Sequence, residues 1–450
     1  MARSAMRLLG GAYGRRVHVV AGPGNNGADG RVAAEVMRRR GVRVSVGDHD
    51  QPIPTDVPFD LVIDAAFGTG LSRPYQPPGT PSDTPVLAVD IPSGLDGRTG
   101  GLRGNPWTAT ATITFAALKS GLVLGHGPEL CGRVEVADIG LSVAAEVGSG
   151  DGLARGLVGD ADVRSRWPRR PPDAHKWRAA VWIIGGAPGM TGAAALTAEA
   201  AGRAGAGYVL VSAPPVDRDR RTEPGLPHAP LPVESVVRDL PSGAGSGGTT
   251  AAWAEAVADE DRVGALVIGN GLGRDRVVID GVLSLLELTD TAVVLDADAL
   301  SAGGAALLDV CARRSAITVL TPHDGEYEAL MGEAPGDDRL AAASRLAERS
   351  GAIALLKGPT TVIADPDGRI RLSTAGDQRL ATAGTGDVLA GIVGAGLARA
   401  SATSPAADPL DVVAAAAHVH GRAAERGHRL GFRAGDLLDL VAVTLDRLVT

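Results

Sequence analysis

Short apolar runs, each ended by a glycine- or proline-rich turn, recur along most of the chain. In the first third they predict strands at residues 17–21, 42–46, 60–65, 86–91, 111–115 and 133–137, with a helix over 31–40. The runs are continuously apolar, and helices or long loops separate them. That pattern predicts a parallel α/β sheet covered on both faces. A second series predicts strands at 180–186, 208–213, 265–269, 292–295, 317–321 and 352–357, with a helix after Thr191. A hairpin is expected at 360–364 and 369–373, and three helices from Gly386 onward. Between the two series the pattern degrades into GSGDGLARGLVGD and WPRRPPDAHK, rich in Gly, Pro and charge. This places a boundary near Gly150: one domain at 1–150 and another at 151–450, with 151–176 as a linker. Residues 214–250 are expected to form long surface loops, and no internal repeat is evident.

The 450 residues exceed one ordinary domain of ~100–200 residues. With 44% apolar and 21% charged residues the chain is globular, and with 3% aromatics its cores must be filled by small aliphatic groups. A formal charge of −8 argues against a nucleic-acid or membrane partner. It leaves phosphorylated small molecules open, since helix-start N–H groups can hold a phosphate. Cys131 and Cys311 have neither the spacing nor the number for a disulfide framework or zinc site, which fits a reducing cytoplasm. The first residues, MARSAMRLLGGAYGRR, lack a signal-peptide core, and no apolar run approaches the ~20 residues of a membrane helix. The expectation is a soluble cytoplasmic protein that forms a homo-oligomer.

GPGNNGADG at 22–30 follows a strand and opens a helix, where glycines let backbone approach a ligand and freed N–H groups can hold phosphate. A tight turn would use the same residues: Asn25 and Asn26 tolerate turn conformations, and Asp29 suits a helix start. Asp64 ends one predicted strand and is followed by FGTGLSRP; Asp90 ends another, with Ser93 and Gly94 just beyond. In an open parallel sheet the crevice beyond the strands' carboxyl ends binds ligands, and these strand ends point to one crevice.

In this order, NNGADG, VIDAAFGTGL, VDIPSGLD and TFAALKSGLVLG resemble the NAD(P)H-hydrate epimerase family, which interconverts the R and S hydrates at C6 of the reduced nicotinamide ring. The resemblance implies a Rossmann-like, three-layer parallel sheet. It implies dinucleotide contacts from Asn25, Asn26, Gly27, Ala28 and Asp29 and from the loop Gly68, Thr69, Gly70, Leu71, Ser72, Arg73 and Pro74. It further implies a potassium ion on Asn26, Asp64 and Ser93, and Asp90 as the acid/base, a role a carboxylate can fill while the C–O bond breaks and re-forms. The chain departs from the family in three ways. Ala28 stands where Gly is usual, the segment between Val46 and Asp60 leaves no room for a helix, and only about sixteen residues precede the first strand.

The sharpest motif is AGTGDVLAGIVGAGLA at 383–398. Gly384, Thr385 and Gly386 precede a helix, and backbone N–H groups there form an anion hole suited to phosphoryl transfer. Asp387 in the first turn is placed to take a proton from an attacking hydroxyl, though it would also serve as a helix cap. LLKGPTT at 355–361 joins two strands, and TPHDGE at 321–326 follows another, with His323 and Glu326 at a helix start. Together with HKW, IIGGAPGMTGAAAL, AGAGYV, IGNGLG and LDADAL these look like the ribokinase-like fold. Within it they resemble the ADP-dependent NAD(P)H-hydrate dehydratases, the resemblance covering residues 175–449.

The resemblance implies that Ala193, Gly271, His323 and Asp387 contact the hydrated dinucleotide. Lys357, Gly358, Pro359, Thr360, Thr361 and Gly386 would contact the adenine nucleotide, and Asp387 would be the base. ADP would phosphorylate the C6 hydroxyl, with Mg²⁺ on its phosphates, so that phosphate replaces hydroxide as leaving group. His323 stands where kinases of this fold tend to have Asn. Trp177 replaces a Gly and Asn270 a Pro in the family pattern. Two rivals stay open: a small-molecule kinase of the same fold, and a non-catalytic N-terminal binding module.

Overall fold

The computed structural model describes residues 1–56, 58–79, 83–141, 155–215, 230–241, 252–403 and 407–450. They fall into two units, Met1–Gly152 and Leu153–Thr450.

In the first unit the apolar runs become strands β1 Arg16–Ala21, β2 Arg43–Asp48, β3 Leu61–Ala65, β4 Val86–Val89, β5 Ala111–Phe115 and β6 Arg133–Ala137. Their order is β2-β1-β3-β4-β5-β6, and every pair is parallel. The four central strands are buried while the edges β2 and β6 are half exposed, which is why the central runs read as unbroken apolar stretches. The helix Asn25–Arg39 sets Ala34 and Met37 against Val17, Val19, Leu61 and Ile63 on one face. On the other face Val20, Val62, Val86 and Ala88 are covered by Ile53, Phe67, Leu71, Tyr75 and Trp107, all from loops. Polar handles pin that loop layer: the Tyr75 hydroxyl donates to the His49 carbonyl at 3.0 Å and Trp107 Nε1 to the Gly79 carbonyl at 2.8 Å. The third layer of the expected three is therefore built mainly of loops.

One local expectation for this unit is corrected and one element is added. The first helix begins at Asn25, not at 31, so NNGADG forms the helix's opening turns and not a loop. The residues before β1 contain a helix, Ala2–Leu8, which buries Ala5 and is tied to β6 by an Arg7–Glu135 ion pair at 2.5 Å.

The second unit holds a ten-stranded sheet: β10-β9-β8-β11-β12-β13-β14-β15-β16-β7. Strands β8 Ala180–Ile184, β9 Tyr208–Ser212, β11 Ala265–Ile268, β12 Ala292–Leu295, β13 Thr318–Leu320 and β14 Ile353–Leu356 run parallel. The hairpin β15 Thr361–Ala364 and β16 Ile370–Ser373 adds antiparallel pairs, as expected. The expected linker does not hold throughout: β7 Arg155–Leu157 pairs with β16, the helix Asp160–Arg166 follows, and Val163 and Trp167 enter the core. Within 214–250, β10 Val236–Val237 pairs with β9 at the opposite edge, while 216–229 and 242–250 lie outside the described residues.

Three helices, Thr385–Ala400, Pro409–Ala424 and Ala434–Val449, complete the unit. The first is buried almost all round, as its Ala, Gly, Val and Ile content allows. No helix among the described residues is long and apolar enough to cross a membrane. Both cysteines are free and buried, and burial pushes their thiols up to about 12.

Candidate active sites

Parallel pairing brings the carboxyl ends of β8, β11, β12, β13 and β14 to one edge of the second sheet, where the chain places Gly185, Asn270, Asp296, Thr321 and Lys357. The Thr385–Ala400 helix starts at this edge. Its N-cap Gly384 has φ +92°, a left-handed turn that favours glycine and delivers Asp387 within the first turn. Asn270 Nδ2 donates to Asp387 Oδ1 at 2.7 Å and to Asp296 Oδ2 at 3.0 Å. Asp296 Oδ1 accepts from Thr321 Oγ1 at 2.8 Å and from Lys357 Nζ at 2.9 Å. Lys357 Nζ also lies 3.4 Å from Glu326 Oε2, and 3.6 Å from where a Cβ on Gly386 would stand. Lysine, glycine turn and Asp387 thus form one cluster. Gly271 joins it beside Ala193, whose Cβ would be 3.2 Å from a Cβ on that glycine.

The electrostatics follow from burial. Burial, chiefly, raises the Asp387 carboxyl to about 6; Asp296 and Asp298 push the same way, against the Asn270 amide and Lys357. Burial also raises Glu326. For Lys357 burial works to lower the pKa, but Asp296 and Glu326 outweigh it, and the ammonium is held above its ordinary range. This lysine is not a solvated loop residue: its side chain keeps 20% of its surface exposed and its charge is shared by two carboxylates. His323 caps its own helix, with Nδ1 accepting from the N–H groups of Gly325 at 3.0 Å and Glu326 at 3.2 Å. That leaves Nε2, 3.4 Å from Glu326 Oε1, as the ring's remaining polar atom. Gly358 packs against Arg339, Thr360 is buried, and Thr361 opens β15.

In the first unit Asp64 is buried at the end of β3, and burial raises its carboxyl. It accepts from Ser93 Oγ at 2.6 Å, from Ser93 N at 2.8 Å and from Ala66 N at 3.3 Å. Ser93 Oγ lies 2.9 Å from the Phe67 carbonyl oxygen and accepts from Phe67 N at 2.8 Å. Asp90 follows β4 with φ +69°. Its Oδ1 meets Lys119 Nζ at 2.8 Å and Thr114 Oγ1 at 3.2 Å, and its Oδ2 accepts from Thr69 N at 3.3 Å. A Cβ on Gly68 would stand 2.9 Å from Asp90 Oδ2 and 3.6 Å from Asn26 Cγ, so Asn26, Gly68, Thr69 and Asp90 converge. Asn25, Ala28 and Asp29 are exposed on the opening turns of the helix, and Gly70 and Ser72 to Pro74 are exposed on their loop. Packing requires glycine at 22 and 27: a Cβ would lie 1.8 Å from the Ala66 carbonyl oxygen at Gly22, and 1.9 Å from the Gly22 carbonyl oxygen at Gly27.

Several residues in these clusters were not singled out by spacing. Lys119 and Asp296 lie inside recognisable motifs but reach their partners only through the fold. His420 is buried, and its Nε2 must be the donor to the Thr385 carbonyl at 2.9 Å, because a carbonyl can only accept. Burial lowers it to about 4, so the ring is neutral behind the glycine turn. Its trace in the sequence is one of two histidines, His418 and His420, on a largely apolar helix.

Comparison with known proteins falls on the same clusters. The family described as NAD(P)H-hydrate dehydratase matches residues 181–441, and that described as YjeF-related protein N-terminus matches 47–121, a stretch that includes Asp64, Asp90, Ser93 and Lys119 but not Asn25–Asp29. A bifunctional NAD(P)H-hydrate repair enzyme of Salinibacter ruber is 36% identical over 96% of this chain and 88% of its own length. That of Escherichia coli is 33% identical over 99% of this chain and 88% of its own. Among solved structures, the ADP/ATP-dependent NAD(P)H-hydrate dehydratase from Bacillus subtilis, co-crystallised with ATP and Mg²⁺, is 27% identical with a TM-score of 0.51, covering 64% of this chain and 97% of that one. The chain belongs to the family of bifunctional NAD(P)H-hydrate repair enzymes.

Proposed function

We propose that the second unit returns the S hydrate of NADH and NADPH to the reduced dinucleotide with ADP as phosphoryl donor, and that the first unit interconverts the R and S hydrates. The observation that carries the reading is Asp387 in the first turn of a helix opened by Gly384, with Lys357 beside Gly386.

Asp387 takes the proton of the C6 hydroxyl. That oxygen then bonds to the terminal phosphorus of ADP as the bond to the AMP oxygen breaks. The ring-nitrogen lone pair next expels phosphate from C6, and loss of the C5 proton restores the ring double bond. The N–H groups of Gly386 and Asp387 precede the first bond of the helix, Val388 N to the Gly384 carbonyl at 3.2 Å, and are placed to hold the transferring group. Lys357, fixed by Asp296 and Glu326, keeps a positive charge beside that turn. Mg²⁺, when bound, neutralises the nucleotide's phosphates; the Bacillus subtilis dehydratase, co-crystallised with ATP and Mg²⁺, supports both nucleotide and ion.

In the first unit Asp90 carries the proton at C6. For potassium, the residues present fit a hard cation. Asp64 and Ser93 are buried oxygen donors beside the Phe67 carbonyl, and Asn26 has a buried Nδ2 with no partner among the described residues. Turning that amide would place its oxygen there instead. Asn26, Asp64 and Ser93 are the residues that would hold the ion. Two buried free thiols suit a reducing cytoplasm.

The test is the S hydrate with Mg²⁺ and ADP. AMP and inorganic phosphate should appear in step with recovery of the reduced ring's absorbance. A donor requirement met by ATP and not by ADP would overturn the donor assignment, and a stable phosphorylated product would mean a small-molecule kinase. The pH profile is a separate check. A base held at about 6 is protonated below that value, so kcat/KM should fall with a single-proton slope as pH drops through about 6. A flat profile down to pH 5 would remove Asp387 from the role.

A further inference from the structure

We infer that Asn270 is the residue that positions and aims the base of the dehydratase site. The inference rests on the reading of Asp387 as base.

Asn270 is fully buried between Gly269, φ +123°, and Gly271, φ +63°, and its carbonyl accepts from Gly186 N at 3.1 Å. Backbone on both sides therefore fixes where the side chain leaves the chain. Nδ2 sits between two carboxylate oxygens, Asp387 Oδ1 at 2.7 Å and Asp296 Oδ2 at 3.0 Å. A primary amide nitrogen has two hydrogens, one for each oxygen. Because both neighbours are acceptors, the nitrogen and not the oxygen must face them. The other amide atom, Oδ1, is buried without a partner among the described residues, a cost borne by the arrangement that keeps Nδ2 on the two acids.

The consequence for Asp387 is directional. Oδ1 is tied to Asn270, whereas Oδ2 has no hydrogen bond among the described residues and lies 3.9 Å from where a Cβ on Gly384 would stand. Oδ2 therefore faces the glycine turn, where a proton would have to be collected. The charged groups that act on Asp387 are Asp296 and Asp298, which disfavour its ionised form, and Lys357, which favours it. The histidine behind the turn, His420, is neutral. Asn270 is the neutral donor in this set, so removing it takes one bond from each acid; Asp296 keeps Thr321 and Lys357, whereas Asp387 Oδ1 loses the bond that holds it. Neither alanine nor proline at 270 has a side-chain donor, so either would leave Asp387 Oδ1 without this bond.

The experiment uses the full chain with the S hydrate, ADP and Mg²⁺, comparing wild type, Asn270→Ala, Asn270→Pro and Asp387→Asn. Asn270→Ala should lose about tenfold in kcat with nucleotide KM within about twofold. Its acid limb should move up by about one pH unit, the size of one hydrogen bond to a charged group. An Asn270→Ala or Asn270→Pro enzyme with the wild-type limb and wild-type kcat, while Asp387→Asn is inactive, would overturn the inference and leave the base intact. Activity in Asp387→Asn would instead overturn the base itself. A measurement on the unaltered side chain covers the case in which both Asn270 variants fail to fold. With selective asparagine labelling, the Asn270 side-chain NH₂ resonances should shift as Asp387 titrates, and should not in Asp387→Asn. Asn270 resonances that ignore pH between 5 and 7 in the wild type would overturn the proposal.

Discussion

Asp387→Asn is expected to lower turnover of the S hydrate by at least ~10²-fold, the scale for losing a positioned base. The substitution is chosen to spare everything else. An asparagine oxygen at 387 can still accept from Asn270 Nδ2, now at 2.7 Å, and the helix start is shaped by Gly384 and the Thr385 bonds to the Leu380 and Thr382 carbonyls, not by residue 387. Nucleotide binding should survive, measured by titration of ADP. Stability supplies a second, oppositely signed readout. A carboxyl raised to about 6 in the folded state favours folding fully below its unfolded value of ~3.9, and that contribution is lost as pH rises through about 6. The variant lacks the titration, so its melting temperature should gain on the wild type between pH ~4 and pH ~7. A variant that is inactive and also less stable than wild type at pH 7 would point to a structural role. Near-normal turnover would remove Asp387 as base.

The central strands were legible because buried parallel strands are continuously apolar, and β3 and β4 are buried at every position. The edge strands of the second sheet, β7 and β10, were not. β7 holds only Arg155, Gly156 and Leu157, and becomes a strand through pairing with β16, a fact of tertiary structure. The opening turns of the Asn25–Arg39 helix were hidden by Asn and Gly, poor helix formers that the adjoining sheet overrides. For the site, a glycine turn before Asp387 and an aspartate at a strand end are local signals with a chemical meaning. The bonds that tune them are not local. Asn270 and Asp387 are 117 positions apart, and Lys357 and Asp296 are 61 apart, so no spacing rule joins them. Trp177, noted only as a departure from the usual glycine, meets Tyr208 at 4.4 Å between ring centroids, with the Arg262 guanidinium 4.1 Å above it. The larger side chain found a surface to pack on.

Loss of the Asp90 carboxylate should abolish consumption of the R hydrate beyond its spontaneous conversion to S, a fall of at least ~10²-fold, while leaving the S hydrate untouched. The choice of variant matters, because Asp90 has φ +69°, a left-handed conformation that Asn tolerates better than Ala. Asp90→Asn therefore tests the chemistry with little added strain: its amide oxygen can still accept from Lys119, now at 2.8 Å from Oδ1, and only the longer bond from the Thr69 N–H to Oδ2, at 3.3 Å, is lost. Asp90→Ala adds strain and should be less stable than Asp90→Asn, but both should fail in the same way with R. The assay needs the complete chain, ADP and the separated isomers, so that the dehydratase reports the appearance of S. Wild type should clear both isomers faster than they interconvert unaided, and both variants should clear S at the wild-type rate and then stop. A slow S phase in the variants would mean that Asp90 acts on the second unit and not on the R isomer. Should the wild type itself halt with R remaining, the Asp90–Lys119 pair does no epimerase chemistry, and the first unit would be a binding module, with the dehydratase reading of Asp387 unaffected.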